Sequence, residues 1–255
     1  MNSSAIFKLL RMWILGAILF ALRLYQNTND FDSATGLHTM SAAGTALIVL
    51  TIAAIAAAFL FSLGESKEQP LFSEYFPAPK KSAAALILGI FLLAAGGALL
   101  AKDLFAADVL GGNASAGDFA SCAVAVLVIL SVPCLLFLTG RMRRGHSYSV
   151  LLLLPSMFFS AFWVLALYLP AANDPVFARY CMPILSAAAA AYAFSLLAGF
   201  FRRETSVRMF SFISECAVIL CMAAVAERNV YSLLYAGCAV IFSVFSLLPK
   251  RKKAE

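Results

Sequence analysis

Charge is what this sequence has least of. Of its 255 residues, 13% are Asp, Glu, Lys or Arg, against 63% that are hydrophobic. Soluble domains carry about 25% charged and about 45–50% apolar residues because their surfaces must meet water, so an ordinary soluble domain is excluded. Lipid is the main solvent. Histidine is scarce as well: His38 and His146 lie in separate polar segments that fall on opposite sides of a membrane in the span count below, which excludes a shared histidine site. The six cysteines (Cys122, Cys134, Cys181, Cys216, Cys221 and Cys238) all fall in apolar runs without C-x-x-C spacing. They read as small packing residues, with no disulfide framework and no metal site. No H-E-x-x-H, G-x-S-x-G, Walker A loop or strand-borne G-x-G-x-x-G is present. The chain therefore reads as a non-enzyme that needs no cofactor.

What it has in abundance is long apolar runs bounded by charge or turn residues. They predict an all-α integral membrane protein, a bundle of about eight transmembrane helices with short loops, over 5–25, 41–63, 83–101, 119–139, 148–170, 180–201, 207–226 and 230–248. Eight crossings at about 20 residues each leave roughly 95 residues for nine tails and loops. That is too little for a separate extramembrane domain, so 1–255 reads as a single polytopic unit. The core of the first span, Met12 to Leu22 between Arg11 and Arg23, has the length of a signal-peptide h-region. No small-x-small cleavage pattern follows closely, which favours a retained helix.

Sorting the basic residues by segment orients the spans. Fifteen of the nineteen fall on the N-terminus, the C-terminus and alternate loops, leaving Arg23, Lys102, Arg179 and Arg228 on the other face. By the positive-inside rule both termini are placed in the cytoplasm and the protein in the cell membrane. Acidic residues lean the other way, and Tyr25, Tyr168, Tyr180, Tyr231 and Tyr235 mark the outer boundary. The net charge of +6 is thus a membrane address, and no basic folded face for nucleic acid is present. Lys250 to Lys253 is expected to hold the last helix against anionic lipid, at about 1 kcal/mol per basic side chain. The loop Pro70-Leu-Phe-Ser-Glu-Tyr-Phe-Pro77 is expected to lie against headgroups, with a gate or docking role as the sharper reading.

Twelve of the thirteen acidic residues lie in loops or tails; the exception is Glu215. At 1.5 Å per residue it sits about 10 Å beyond Arg208, where a carboxylate costs a few kcal/mol unless paired, hydrated or protonated. Ser211 is one helical turn earlier on the same face. Ser195 and Ser243 each lie seven residues before a basic helix end, and so share its depth, with Tyr192 about a turn deeper. The expectation is a polar layer of Glu215, Ser211, Ser195, Tyr192 and Ser243, either a structural acid hydrogen-bonded in neutral form or a proton or substrate relay.

Small residues are plentiful at Ala53 to Ala58, Ala94 to Ala98 and Ser186 to Ala191, and predict tight helix packing, internal in preference to a dimer face. Pro133, Pro155 and Pro183 interrupt predicted spans, each removing a backbone N–H and freeing a carbonyl.

Arg23-Leu-Tyr-Gln26 followed by Asp32-Ser-Ala-Thr-Gly36, then Asp174-Pro175 with Tyr180, Tyr192 and Ala198-Gly-Phe200 before a basic cluster, resembles polytopic membrane proteins of clostridial-type Gram-positive bacteria that have no assigned activity. The resemblance covers about a fifth of the chain and implies a bacterial cytoplasmic membrane protein; it transfers no site residue. Two functions are weighed ahead of a third, an enzyme acting on lipid, which would require at least two convergent polar groups near one interface. A small-molecule or ion transporter draws on Glu215 and the prolines, and predicts a water-accessible cavity. A membrane-embedded partner or envelope component, docking another membrane protein or a second copy, predicts helices packed solid.

Overall fold

The computed structural model describes residues 3–30, 41–76, 80–106, 115–144, 149–172 and 178–248. Lys250 to Lys253, the Asp32–Gly36 turn, Asp174-Pro175, His38 and His146 lie outside them. The described residues form α1 (Ser3–Asn29), α2 (Ala42–Ser62), the single turn α3 (Phe72–Tyr75), α4 (Lys80–Ala106), α5 (Ala116–Arg144), α6 (Leu154–Ala171), α7 (Ala178–Gly199), α8 (Val207–Ala224) and α9 (Ser232–Leu247).

Seven of these are long and apolar enough to cross a membrane. The eighth expected span, α9, has 16 residues. It rises about 24 Å, less than a hydrocarbon core of about 30 Å. Several helices outrun the expected spans because a helix continues past the hydrocarbon into polar residues that a hydropathy reading discards. Thus α5 runs on through Arg141, Arg143 and Arg144. In contrast, α6 begins later than expected, after a 3₁₀ turn at Val150–Leu152, and Pro155 sits in its first turn. Pro155 therefore starts a helix instead of interrupting one, since its missing N–H is not needed there.

Six helices, α4 to α9, form a closed ring in which chain neighbours pack together and α9 returns to α4. The ring has no open bore: Phe159 and Trp163 of α6, Phe194 of α7, and Tyr235 and Phe242 of α9 fill its centre, all fully buried. Trp163 and Tyr235 have ring centroids 4.5 Å apart, and Phe194 and Phe242 4.7 Å. Small residues set the closest approach. A Cβ on Gly237 of α9 would lie 2.9 Å from the Gly89 carbonyl oxygen and 2.9 Å from the Leu93 nitrogen of α4, so backbone meets backbone. Gly96 and Gly97 face Leu234 of α9 and Val128 of α5 in the same way, and the glycines of the Ala94–Ala98 stripe serve internal packing.

Outside the ring, α1 lies along α8 and α9, and α2 packs on α1 and α8. This makes α8 the most enclosed helix. Its first turn is capped by other segments: Val207 N–H donates to the Glu68 carbonyl at 3.1 Å and Arg208 N–H to that of Ser66 at 3.0 Å. Two of the four N–H groups that a helix start leaves without partners are thereby satisfied, and the segment after α2 is tied to the bundle. These contacts put the start of α1, the end of α2 and the start of α8 on one side, hereafter the N-terminal face.

On that face α3 and Phe76 turn inward. Phe72 and Phe76 are 1% and 0% exposed. Phe72 stacks on Phe201 at 4.5 Å and Tyr75 on Phe200 at 5.4 Å, while Phe76 meets Phe200, Phe210 and Phe245. The expectation that this loop lies on headgroups is corrected: its aromatic rings close the end of the bundle. Burial, with Glu65 nearby, pushes the Tyr75 phenol well above its ordinary value. With the folded value raised, the stability this group contributes is complete below about pH 10, where the unfolded phenol titrates, and is lost above it. Melting temperatures of wild type and Tyr75→Phe compared from pH 8 to 11 should show wild type falling further at the alkaline end.

A buried ion-pair clasp and a polar pocket

Glu215 is 2% exposed, and its partners are two basic residues that the charge count had placed with the N-terminal segment. Lys8 and Arg11 are one turn apart on α1, and Ser211 and Glu215 one turn apart on α8, so the two pairs face each other. Arg11 Nη2 donates to Glu215 Oε1 at 2.6 Å and to Oε2 at 2.5 Å. Lys8 Nζ donates to Ser211 Oγ at 2.6 Å, and lies 3.6 Å from Glu215 Oε1 and 3.5 Å from Glu65. The Arg11 guanidinium also covers the Phe61 ring of α2, 3.7 Å from its centroid. One carboxylate and two cations thus join α1, α2 and α8. The sequence reading of this acid did not include these two basic partners.

Only part of the expected layer assembles. Ser211 belongs to it. Ser243 is buried but donates to the Ala239 carbonyl of its own helix at 2.7 Å and receives Trp13 Nε1 at 3.2 Å. Tyr192 is 44% exposed, and Ser195 is exposed and bonded to the Ala191 carbonyl one turn earlier. Both sit on the outer side of α7, away from Glu215. Equal depth selects a level in the bundle but not a face, and 100° per residue turned these two outward.

A second cluster fastens the other end of α1. Arg23 is 2% exposed. Its Nε donates to Glu227 Oε1 at 2.6 Å, Nη1 to Gln26 Oε1 at 2.5 Å and Nη2 to the Arg179 carbonyl at 2.7 Å. That carbonyl is the one whose intrahelical donor Pro183 lacks, so the proline in α7 creates the acceptor that Arg23 fills. Asn27 adds a bond to the Ala226 carbonyl at 3.3 Å. Glu227 stands just before Arg228, whose left-handed backbone (φ 51°) ends the α8 segment and turns the chain toward α9.

On the far side of Glu227 the ring opens into a pocket of about 370 Å³. Its polar lining converges from four directions: Asp118 and Ser121 of α5, Arg179 and Tyr180 of α7, Glu227, and Asn229 with Tyr231 before α9. Ser121 Oγ and the Tyr231 hydroxyl are 2.9 Å apart, and Asp118 accepts from Ser115 Oγ at 2.7 Å. Pro170 and Pro183 form part of the wall. The pocket reaches about five residues into α5 and α7, or about 8 Å. Trp163 lies beneath it, 6.3 Å from the Tyr231 ring, and its indole N–H is buried without a partner among the described residues. Neither the pocket nor Trp163 was singled out in the sequence, because the pocket is made of residues that individually read as boundary tyrosines and loop acids.

Comparison with models of protein families, with curated proteins and with solved structures found no match to this chain.

Proposed function

We propose that this multi-pass membrane protein is a transporter-like protein for a small polar solute, held in a bacterial cytoplasmic membrane with its N-terminal face toward the cytoplasm. The polar pocket at the opposite end of the ring carries this reading. It offers both charge signs, two phenols and an amide within about 370 Å³. Below it the ring is closed twice, by the aromatic centre around Trp163 and by the Phe72–Phe76 rings at the N-terminal face. Such an arrangement corresponds to a state open outward and shut inward. In this reading Glu215 is a clasp that keeps α1 on the ring, and the solute is recognised elsewhere. The likeness to clostridial-type membrane proteins supports the cell envelope and leaves the solute open.

A second reading, a membrane-embedded partner without a solute, is favoured by the solid centre of the ring. The two separate in one experiment. Trp13 and Trp163 are the two tryptophans, so Trp13→Phe leaves Trp163 as the sole reporter under the pocket. Titration with zwitterionic amino acids, dicarboxylates, amines and sugars should give, for one class, a saturable change in Trp163 emission. Asn229→Ala or Asp118→Asn should weaken it at least tenfold, and the active solute should accumulate in proteoliposomes. If no class moves Trp163 emission or the melting temperature, the solute reading falls and the partner reading stands.

A further inference from the structure

A second cavity is a lateral groove of about 430 Å³ between α2 and α7, with α1 at one end. Its walls are ordered by polarity. Arg23, Gln26, Gly44 and Thr45 lie at the end away from the N-terminal face, and Ile48, Ile52, Ile55, Met182 and Leu185 continue toward the bundle middle. From Gly44 to Ile55 the groove runs about 17 Å along α2, close to half of a hydrocarbon core of about 30 Å. That is the depth of one leaflet. The polar end also holds an unfilled capacity. Arg23 has five N–H donors, of which Glu227, Gln26 and the Arg179 carbonyl take three, and the other two meet no acceptor among the described residues. A guanidinium with donors to spare, buried at the headgroup end of an acyl-length groove, suits a phosphate oxygen with a hydrocarbon chain behind it.

We infer that this groove is a specific phospholipid site of the leaflet opposite the N-terminal face, with the phosphodiester on Arg23 and one acyl chain along Ile48, Ile52 and Leu185. This site is separate from the polar pocket and does not depend on the transport reading. The Arg23–Glu227 pair forms the partition, since Arg23 lines the groove and Glu227 the pocket.

The test uses the whole protein. Exposed Cys181 lines the groove and serves as reporter once Cys122→Ser and Cys134→Ser have removed the other two cysteines that are not buried. In detergent, phosphatidylglycerol should slow apolar maleimide labelling of Cys181 at least fivefold, while diacylglycerol, which has the chains without the phosphate, and inorganic phosphate should not. Native mass spectrometry should retain one phospholipid per chain. Ile52→Trp fills the groove from a position already 63% exposed, so it spares the fold, and it should lower lipid occupancy about tenfold. Equal protection by diacylglycerol would reduce the groove to an ordinary lipid-facing surface and overturn the inference. So would the absence of both a retained lipid and protection, or full occupancy in Ile52→Trp.

Discussion

Glu215→Gln lowers the melting temperature of the purified protein by on the order of 10 °C, the shift expected for a loss of about 3–5 kcal/mol. Removing the carboxylate leaves Arg11 and Lys8, 13% and 14% exposed, without the anion they share, and among the described residues only Glu65, 3.5 Å from Lys8, remains as an ion-pair partner. The loss is larger than the net worth of the pair, since most of it is the cost of an uncompensated buried charge. Arg11→Met should therefore be comparably destabilising, and the double variant Arg11→Met/Glu215→Gln should recover part of the loss, with a coupling of 1 kcal/mol or more. Lys8→Met should be milder, because Lys8 stands 3.6 Å from the carboxylate and its main bond is to a serine. If Glu215→Gln melts at the wild-type temperature, the clasp does not hold α1, and the acid must be retained for another purpose.

How much of this was legible in the sequence follows from what each signal measures. Hydropathy counts the transfer of side chains into lipid, and it located the crossings because the apolar runs leave little alternative. Scarcity of charge singled out Glu215 for the same reason. Its partners were missed because a charge count treats every Lys and Arg near a helix end as an interfacial marker. Lys8 and Arg11 instead lie on the face of α1 that meets α8, and a one-dimensional count carries no face. The same blindness joined Tyr192 and Ser195 to the layer by depth alone. The role of Pro183 was half visible: a freed carbonyl is predictable from the residue type, but that Arg23, more than 150 positions earlier, supplies the missing donor is a property of the packed bundle. The turn Phe72–Tyr75 is too short to give a periodicity to read, so its direction was set by the ring end it plugs.

That plug carries the second large effect. Phe76→Ala should destabilise the protein by about 3–5 kcal/mol, the usual cost of emptying a fully buried phenylalanine site. The ring is 0% exposed and meets Phe72 at 4.9 Å, Tyr75 at 4.7 Å, Phe200 at 5.1 Å, Phe245 at 5.3 Å and Phe210 at 5.6 Å. These neighbours belong to α3, the turn after α7, α8 and α9, so collapse around the void requires four segments to shift together. Phe76→Leu should retain more than half of the stability, because it keeps hydrophobic volume while losing the edge-to-face ring contacts. Amide hydrogen exchange reads the effect locally: in Phe76→Ala, protection should fall at the start of α8 and the end of α9 and stay unchanged around Trp163. A wild-type melting temperature in Phe76→Ala would mean that the segment rests on the bundle without sealing it. The seal also has a functional reading that stability does not share. If the Phe72–Phe76 rings are the inner closure of a transport path, Phe76→Ala proteoliposomes should leak the solute identified by Trp163 emission while binding it with unchanged affinity, because the pocket lies at the other end of the ring. A variant that loses stability and binding together, with no leak, would make these rings a structural floor only.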